Sequence, residues 1–377
     1  VFPKGMLQKK CLFRVTRNAD IDVKEGMFDQ DIDYRQVMSE LLKKRRKLAA
    51  VRLQFWNQPP QEIEKYLCDK LVLPQKQCFA QAAPLDLSCF FKLAARLQAD
   101  GRSELFYPPA KPLQAPAGYR LGREVETHDM LLAYPYQSMR PFIKMLMAAA
   151  FDPEVISIKM TLYRMAHDSQ IVQIGRAHEE AGCTVIYGLD EYKVHSKLTL
   201  ITRKRAGKYH YTTQVGTGNY NEKTSEQYTD LAFVTTSQEI GEEAAAVFNN
   251  LAVERLTDDT QYLLVAPLCF KSVLLAEIDR EIGQARMGLP ARITLKNNSI
   301  SDKNVIEKLE EASCAGVATD MIVRGICCVR AGVPGHTENL RVRSIVGRYL
   351  EHSRIYAFGE GENLRIYIAS GDFLTRN

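Results

Sequence analysis

Short apolar runs alternate along most of this chain with longer stretches of helical period. Runs at residues 155–162, 184–189, 197–202, 212–215 and 230–235 predict strands, and the periodic stretches 139–150 and 240–253 predict helices. A second series follows, with strands at 262–266, 292–296, 321–326, 340–346 and 364–369 and helices at 271–285 and 303–315. Strands interleaved with helices imply an α/β sheet with both faces covered. The first 120 residues read differently. A strand at 11–15 precedes an acidic segment, 20–33, and a helix is predicted over 34–53 with Val37, Met38, Leu41, Leu42 and Leu48 on one side. Pro108, Pro109, Pro112 and Pro116 then mark a linker of restricted, extended backbone. The pattern therefore predicts a mixed α/β region over 1–120, a first α/β domain over 121–261 and a second over 262–377.

At 377 residues the chain is too long for one ordinary core, which agrees with several domains. Hydrophobic residues make up 46% and charged residues 25%, with 22 Gly and 15 Pro, which excludes collagen-like and wholly disordered readings. The longest apolar run, near 145–151, falls well short of the ~20 residues of a bilayer-spanning helix. A net charge of +5 is too mild to announce a nucleic-acid binder, so a polyanion site must come from local clustering. One cluster is Lys43, Lys44, Arg45, Arg46, Lys47 and Arg52, which reads as a solvated helix face or as a wall that attracts phosphate. Nine cysteines without a CxxC spacing favour reduced thiols in a cytosolic protein. The start at Val1 and the stop at Asn377 suggest part of a longer polypeptide.

The two series resemble each other where chemistry is expected. His195-Ser196-Lys197 is followed by Gly216-Thr217-Gly218-Asn219, and His352-Ser353-Arg354 by Ala369-Ser370-Gly371-Asp372, which reads as a divergent duplication. If 193–197 is strand, Lys193, His195 and Lys197 share a face. An imidazole between two ammonium groups is a poor core and a good arrangement for attacking an anionic phosphorus. His352 follows a basic strand containing Arg341 and Arg343, with Arg348 nearby, and Arg supplies a fork suited to phosphate. Glu351 either orients a neighbour or is a surface acid. Arg324 is an outlier inside the apolar run 321–327, so it is either structurally paired or aimed at an anion. Arg164 sits just beyond a predicted strand end, where α/β sheets place ligands. The turn 216–221 lets backbone amides approach a phosphate. No GxxxxGK[ST] motif occurs, nor the HRD and DFG elements of protein kinases, and no Cys/His spacing suits zinc.

Several of these segments carry a family resemblance. Leu132-Ala133-Tyr134-Pro135-Tyr136-Gln137-Ser138, Lys159-Met160-Thr161-Leu162-Tyr163-Arg164, residues 216–221 and Tyr228-Thr229-Asp230 resemble polyphosphate kinase. So do Leu264-Val265-Ala266-Pro267, the run 322–327, and the run 341–348 followed by Leu350-Glu351-His352-Ser353-Arg354. The family meant is the ATP-dependent, histidine-phosphorylating one, whose catalytic half resembles the phospholipase D fold. The resemblance implies two phospholipase D-like α/β half-domains preceded by a smaller mixed region. It also implies reversible transfer of the terminal phosphate of ATP to inorganic polyphosphate, with Mg²⁺, in a cytoplasmic homo-oligomer whose peripheral membrane association stays open. No nucleic acid is expected.

By the same resemblance, His195 matches the phosphorylated histidine and His352 the second active-site histidine, a proton donor that also lies at the nucleotide. Tyr228 and Arg324 fall on nucleotide-contacting positions. Arg164 falls on a position associated with magnesium through shared phosphate oxygens, since an Arg cannot ligate the ion. Lys197, Arg354, Gly216 and Asn219 complete the expected phosphate site. The family has a further ~30 residues between Ile174 and Gly175, and an N-terminal helical domain without a match here. Two other readings stand beside this one. A phospholipase D-like phosphodiesterase would carry an Asp five residues after the Lys of its motif, where this chain has Thr202 and Gly359. A non-catalytic polyanion-binding protein would use the basic segments alone.

Overall fold

The computed structural model describes residues 9–18, 48–108, 111–162 and 194–374. The chain divides into two compact units, 1–108 and 109–377. The first holds a three-stranded sheet ordered β1 (Phe13–Arg17), β2 (Ala50–Trp56), β3 (Cys78–Gln81), with α1 (Gln61–Leu71) and α2 (Cys89–Ala99). Its small core is Leu53, Phe55 and Leu73. Residues 50–53, expected to close a helix, instead belong to β2: Leu53 and Phe55 alternate inward on a pleated strand, with antiparallel pairing to β1 and parallel pairing to β3. The period-2 pattern of that stretch outweighs the helical period read upstream. The rest of the expected helix, with its basic cluster 43–47, lies outside the described residues.

The second unit contains both α/β halves. In the first half, β4 (Met130–Tyr134), β5 (Val155–Met160), β6 (Leu198–Arg205), β7 (Lys208–Gly216) and β8 (Tyr228–Thr235) form one sheet. Residues 198–202 of β6 are buried throughout because both faces are covered. Leu198 and Leu200 pack with Ala244 and Val247 of α4 (Gln238–Leu251), while Ile201 packs with Phe142, Ile143 and Leu146 of α3 (Arg140–Ala150). Each of the Leu, Ile, Val and Phe side chains contributes ~1.5–3 kcal/mol through burial.

In the second half, α5 (Phe270–Arg286) and α6 (Lys303–Cys314) pack on a sheet ordered β11 (Leu340–Arg343), β10 (Ala318–Val323), β9 (Arg292–Asn297), β13 (Arg354–Phe358), β14 (Arg365–Ala369). The expected strand at 262–266 is absent. The amides of Gln261, Tyr262 and Leu263 donate to the Glu243 carboxylate, leaving them unavailable for a ladder. The expected strand 321–326 ends at Val323, so Arg324 stands just past a buried strand rather than inside it. The expected strand 340–346 ends at Arg343. The predicted strand 184–189 lies outside the described residues. Among the described residues, no helix is long and apolar enough to cross a membrane.

The halves repeat each other in register. Leu198 pairs with Val215, and Lys197 O accepts from Gly216 N; in the second half Arg354 pairs with Ala369. On the other side, Thr199 pairs with Met160 and Tyr356 with Leu295. Thr199 and Tyr356 each stand four residues after the histidine of their half. The duplication read from the tripeptides thus holds at the level of strand pairing. A short strand, β12 (Leu350–Glu351), departs from the second half and pairs in parallel with Tyr228 and Thr229 at the start of β8. That crossing carries His352 into the first half.

Candidate active site

His352 sits where the two halves meet. Its Nδ1 lies 2.9 Å from both Asp230 carboxylate oxygens, and its backbone amide donates to Thr229 Oγ1 at 3.2 Å. The Tyr228 ring packs against the imidazole, centroid to centroid 5.2 Å. On the far side, Arg354 Nη1 lies 3.2 Å from His352 Nε2 and 2.9 Å from the His352 carbonyl. A guanidinium can only donate, so Nε2 accepts. The ring proton is thereby assigned to Nδ1, where Asp230 accepts it.

Arg354 is itself buried and fixed. Its Nη2 donates to Asp372 Oδ2 at 3.0 Å and its Nε to Asp372 Oδ1 at 3.3 Å, while Nη1 reaches the carbonyl of Thr217 at 3.5 Å. A two-pronged Arg–carboxylate pair holds geometry that a Lys could not. Asp372 Oδ1 also accepts from Asn298 N at 2.7 Å. The Tyr356 hydroxyl donates to Gly371 O at 2.7 Å, and burial, with the nearby Asp372 carboxylate adding to it, raises its pKa well above the ordinary value. It therefore keeps the proton that pins the 369–372 turn.

The turn after β7 meets this cluster from the first half. Thr217 Oγ1 donates to Asp230 Oδ1 at 2.6 Å and accepts from Leu231 N at 3.0 Å. A Cβ on Gly218 would fall 2.1 Å from Asp230 Oδ2. The glycine is needed first for the close approach of Asp230, not only for access of a phosphate to the backbone. Asn219 Oδ1 is buried and, among the described residues, has no hydrogen-bond partner; Asn219, Tyr134 and Tyr220 line one small cavity. Asn221 caps the single helical turn that follows, accepting from Lys223 N and Thr224 N.

The expected nucleophile is placed differently from its sequence reading. Residues 194–197 precede β6 and are not strand, so the alternation that aligned Lys193, His195 and Lys197 does not apply; Lys193 is outside the described residues. His195 is half-buried. Lys197 is 3% exposed, and its ammonium donates to the His195 carbonyl. It therefore tethers the backbone of His195 from below. Lys197 O accepts from Gly216 N at 2.8 Å and Thr217 O from Arg354, so the turn links the two histidine tripeptides.

Arg324 reaches the cluster indirectly. Its Nε donates to Asn298 Oδ1 at 3.0 Å, and Asn298 Nδ2 is 3.4 Å from the His352 carbonyl. Glu351 turns away from His352: it accepts from Lys296 Nζ at 2.9 Å and from Thr229 Oγ1 at 3.0 Å. The acid at His352 is Asp230, on a different strand. Arg341 and Arg343 are exposed on β11, at the sheet edge, and Arg164 lies outside the described residues. Asp230, Thr217, Asn298, Lys296 and Asp372 are the members that sequence reasoning did not assign. The nearest signal was that Asp230 and Asp372 close two of the quoted motifs.

Among the described residues, no group of three His, Cys, Asp or Glu side chains could hold a metal ion. The carboxylates of Asp230, Asp372 and Glu351 are already engaged by His352, Arg354 and Lys296. These residues do not fit a protein cage for Mg²⁺.

Three family models match the chain in order: the polyphosphate kinase middle domain over 1–93, its C-terminal domain 1 over 120–177 and 172–256, and its C-terminal domain 2 over 263–377. A polyphosphate kinase of Bacillus anthracis is 37% identical over 398 residues, covering 97% of this chain and 56% of the relative. One of Pseudomonas aeruginosa is 36% identical over 411 residues, covering 100% and 58%. Both alignments exceed 377 positions, so the relatives carry residues without a counterpart here. The crystal structure of polyphosphate kinase from Porphyromonas gingivalis superposes with a TM-score of 0.71 at 29% identity, covering 87% of this chain and 55% of that one. The chain spans about half the length of the curated relatives it matches.

Proposed function

The chain belongs to the polyphosphate kinase family, and from that premise we propose that it forms the catalytic part of an ATP:polyphosphate phosphotransferase working through a phosphohistidine. The observation that supports this reading is the meeting of His352 and Arg354, from one half, with Tyr228, Asp230 and the 216–219 turn, from the other. The imidazole of His195 attacks the γ-phosphorus. An N–P bond forms, the bond to the bridging oxygen breaks, and ADP leaves. A terminal oxygen of polyphosphate then attacks the phosphohistidine and regenerates the ring. Because the phosphoramidate retains high transfer potential, the sequence runs in both directions.

Phosphoryl transfer asks mainly for positioning and charge stabilisation. Lys197 positions His195 through its carbonyl. Arg354, held by Asp372, offers Nη1 to incoming phosphate oxygens, which are stronger partners for a guanidinium than a neutral imidazole nitrogen. Once phosphate draws Nη1 away, His352 Nε2 is open to take up a proton from solvent and pass it to the leaving oxygen, and to take it back in the reverse direction, while Asp230 keeps Nδ1 in place. Tyr228, against His352, packs on the nucleotide, and Arg324 with Arg164 adds positive charge. Magnesium enters as part of the substrate, on the nucleotide phosphates.

The test uses the full natural protein. With polyphosphate and ADP it should form ATP, and with Mg²⁺ and ATP it should lengthen polyphosphate, both lost in His195→Ala. ATP formation undiminished in that variant would reject the mechanism.

A further inference from the structure

Two thiols in the N-terminal unit face each other. Cys68 lies in the last turn of α1 and Cys78 opens β3, and their Sγ atoms are 2.9 Å apart. That is well inside sulfur–sulfur van der Waals contact. A shift of roughly half an ångström by each would reach the bonded distance of about 2.05 Å. We propose that Cys68 and Cys78 are a modification site that closes to an intramolecular disulfide on meeting a hydroperoxide.

The backbones on both sides are already held. Val72 ends α1 in the left-handed region (φ 53°), and Leu73 N donates to the Cys68 carbonyl at 2.9 Å. Cys78 N donates to Gln75 O, and Cys78 is in parallel register with Leu53 on β2. Both side chains pack at the edge of the Leu53–Phe55–Leu73 core, where they are half-buried and still within reach of a small oxidant. Among the described residues, no third ligand completes a metal site with them.

The order of events follows from the surroundings. Burial, then the hydrogen bond to Cys68, pushes the Cys78 thiol up to about 12, so at neutral pH it keeps its proton and is a poor first target. Cys68 reacts first: its sulfur takes one oxygen from the peroxide, giving a sulfenic acid and water. The Cys78 sulfur then attacks Cys68 Sγ, the S–O bond breaks and a second water leaves. In sum, two thiols and one peroxide give one disulfide and two waters. The product ties the end of α1 to the start of β3 across the 69–77 connection. Thiol reductants reverse it.

Trypsin cuts after Lys70 and Lys76, between the two cysteines. The full chain treated with hydrogen peroxide, alkylated and digested without reductant should give peptide 66–70 linked to peptide 77–92, about 2 Da below the sum of the two peptides, and dithiothreitol should separate them. Peptide 77–92 also contains Cys89, so Cys89→Ser should retain the link and Cys78→Ser abolish it. Three results would each overturn the proposal: recovery of both cysteines as alkylated thiols, their conversion to sulfinic acids, or a link that survives Cys78→Ser.

Discussion

The carboxylate of Asp230 accepts the Nδ1–H of His352, with both oxygens at 2.9 Å, across the boundary between two halves that are 122 residues apart in sequence at this point. One half supplies the ring and the other supplies the group that orients it. His352→Ala is a blunt probe of that arrangement, because it removes ring and tether together. Asp230→Asn keeps the size and removes the charge. It should lower turnover by ~10²–10⁴, the range of general acid–base groups, with a much smaller change in nucleotide KM. Steady-state kinetics with polyphosphate and ADP checks this.

Gly218 offers a steric probe of the same contact. A methyl there would lie 2.1 Å from Asp230 Oδ2, so Gly218→Ala must push the carboxylate off His352. The expected outcome is a loss of turnover approaching that of Asp230→Asn, with little added loss when the two are combined, since both act through one contact. Full additivity of the two would contradict it.

The Arg354–Asp372 pair should dominate local stability. Both side chains are nearly fully buried, and removing one partner of such a pair strands a charge, at ~3–5 kcal/mol. Arg354→Met should therefore destabilise more than the double variant Arg354→Met/Asp372→Leu. Urea unfolding followed by tryptophan-independent circular dichroism reads the difference.

Asp302, at the N-cap of α6, should make stability depend on acid. Burial would raise its pKa, but the Lys271 ammonium at 2.6 Å and the Val305 amide outweigh that and hold it below the ordinary 3.8. A carboxylate depressed in the folded state contributes stability above its unfolded pKa and loses it as the pH falls through the folded one. The stability gap between the natural chain and Asp302→Asn should thus be present at pH 7 and shrink as the pH falls below 3.8, the ordinary value. A gap that widens in acid would contradict the assignment.

The strands of both halves were legible because their apolar runs are short, separated by turn residues and, in β6, buried on both faces. The duplication was legible for a related reason: each histidine tripeptide opens a hairpin of the same register. What failed was judged on local sequence but decided at a distance. Residues 262–266 look like a strand until Glu243, some twenty positions earlier, takes their amides. Glu351 looks like the partner of His352 because it is adjacent, yet alternation aims it at Lys296. Asp230 becomes that partner only because β12 crosses to β8. Lys197 shows only its residue type in the sequence; its burial and its bond to the His195 carbonyl are set by the fold.

Phosphate mapping on the full natural protein tests the central claim most directly. After brief reaction with γ-labelled ATP and Mg²⁺, the label should be acid-labile and base-stable, map to the peptide containing His195, and vanish in His195→Ala. In His352→Ala, any label that forms slowly should still sit on His195. Label found on His352 in the natural protein, or undiminished in His195→Ala, would contradict the account.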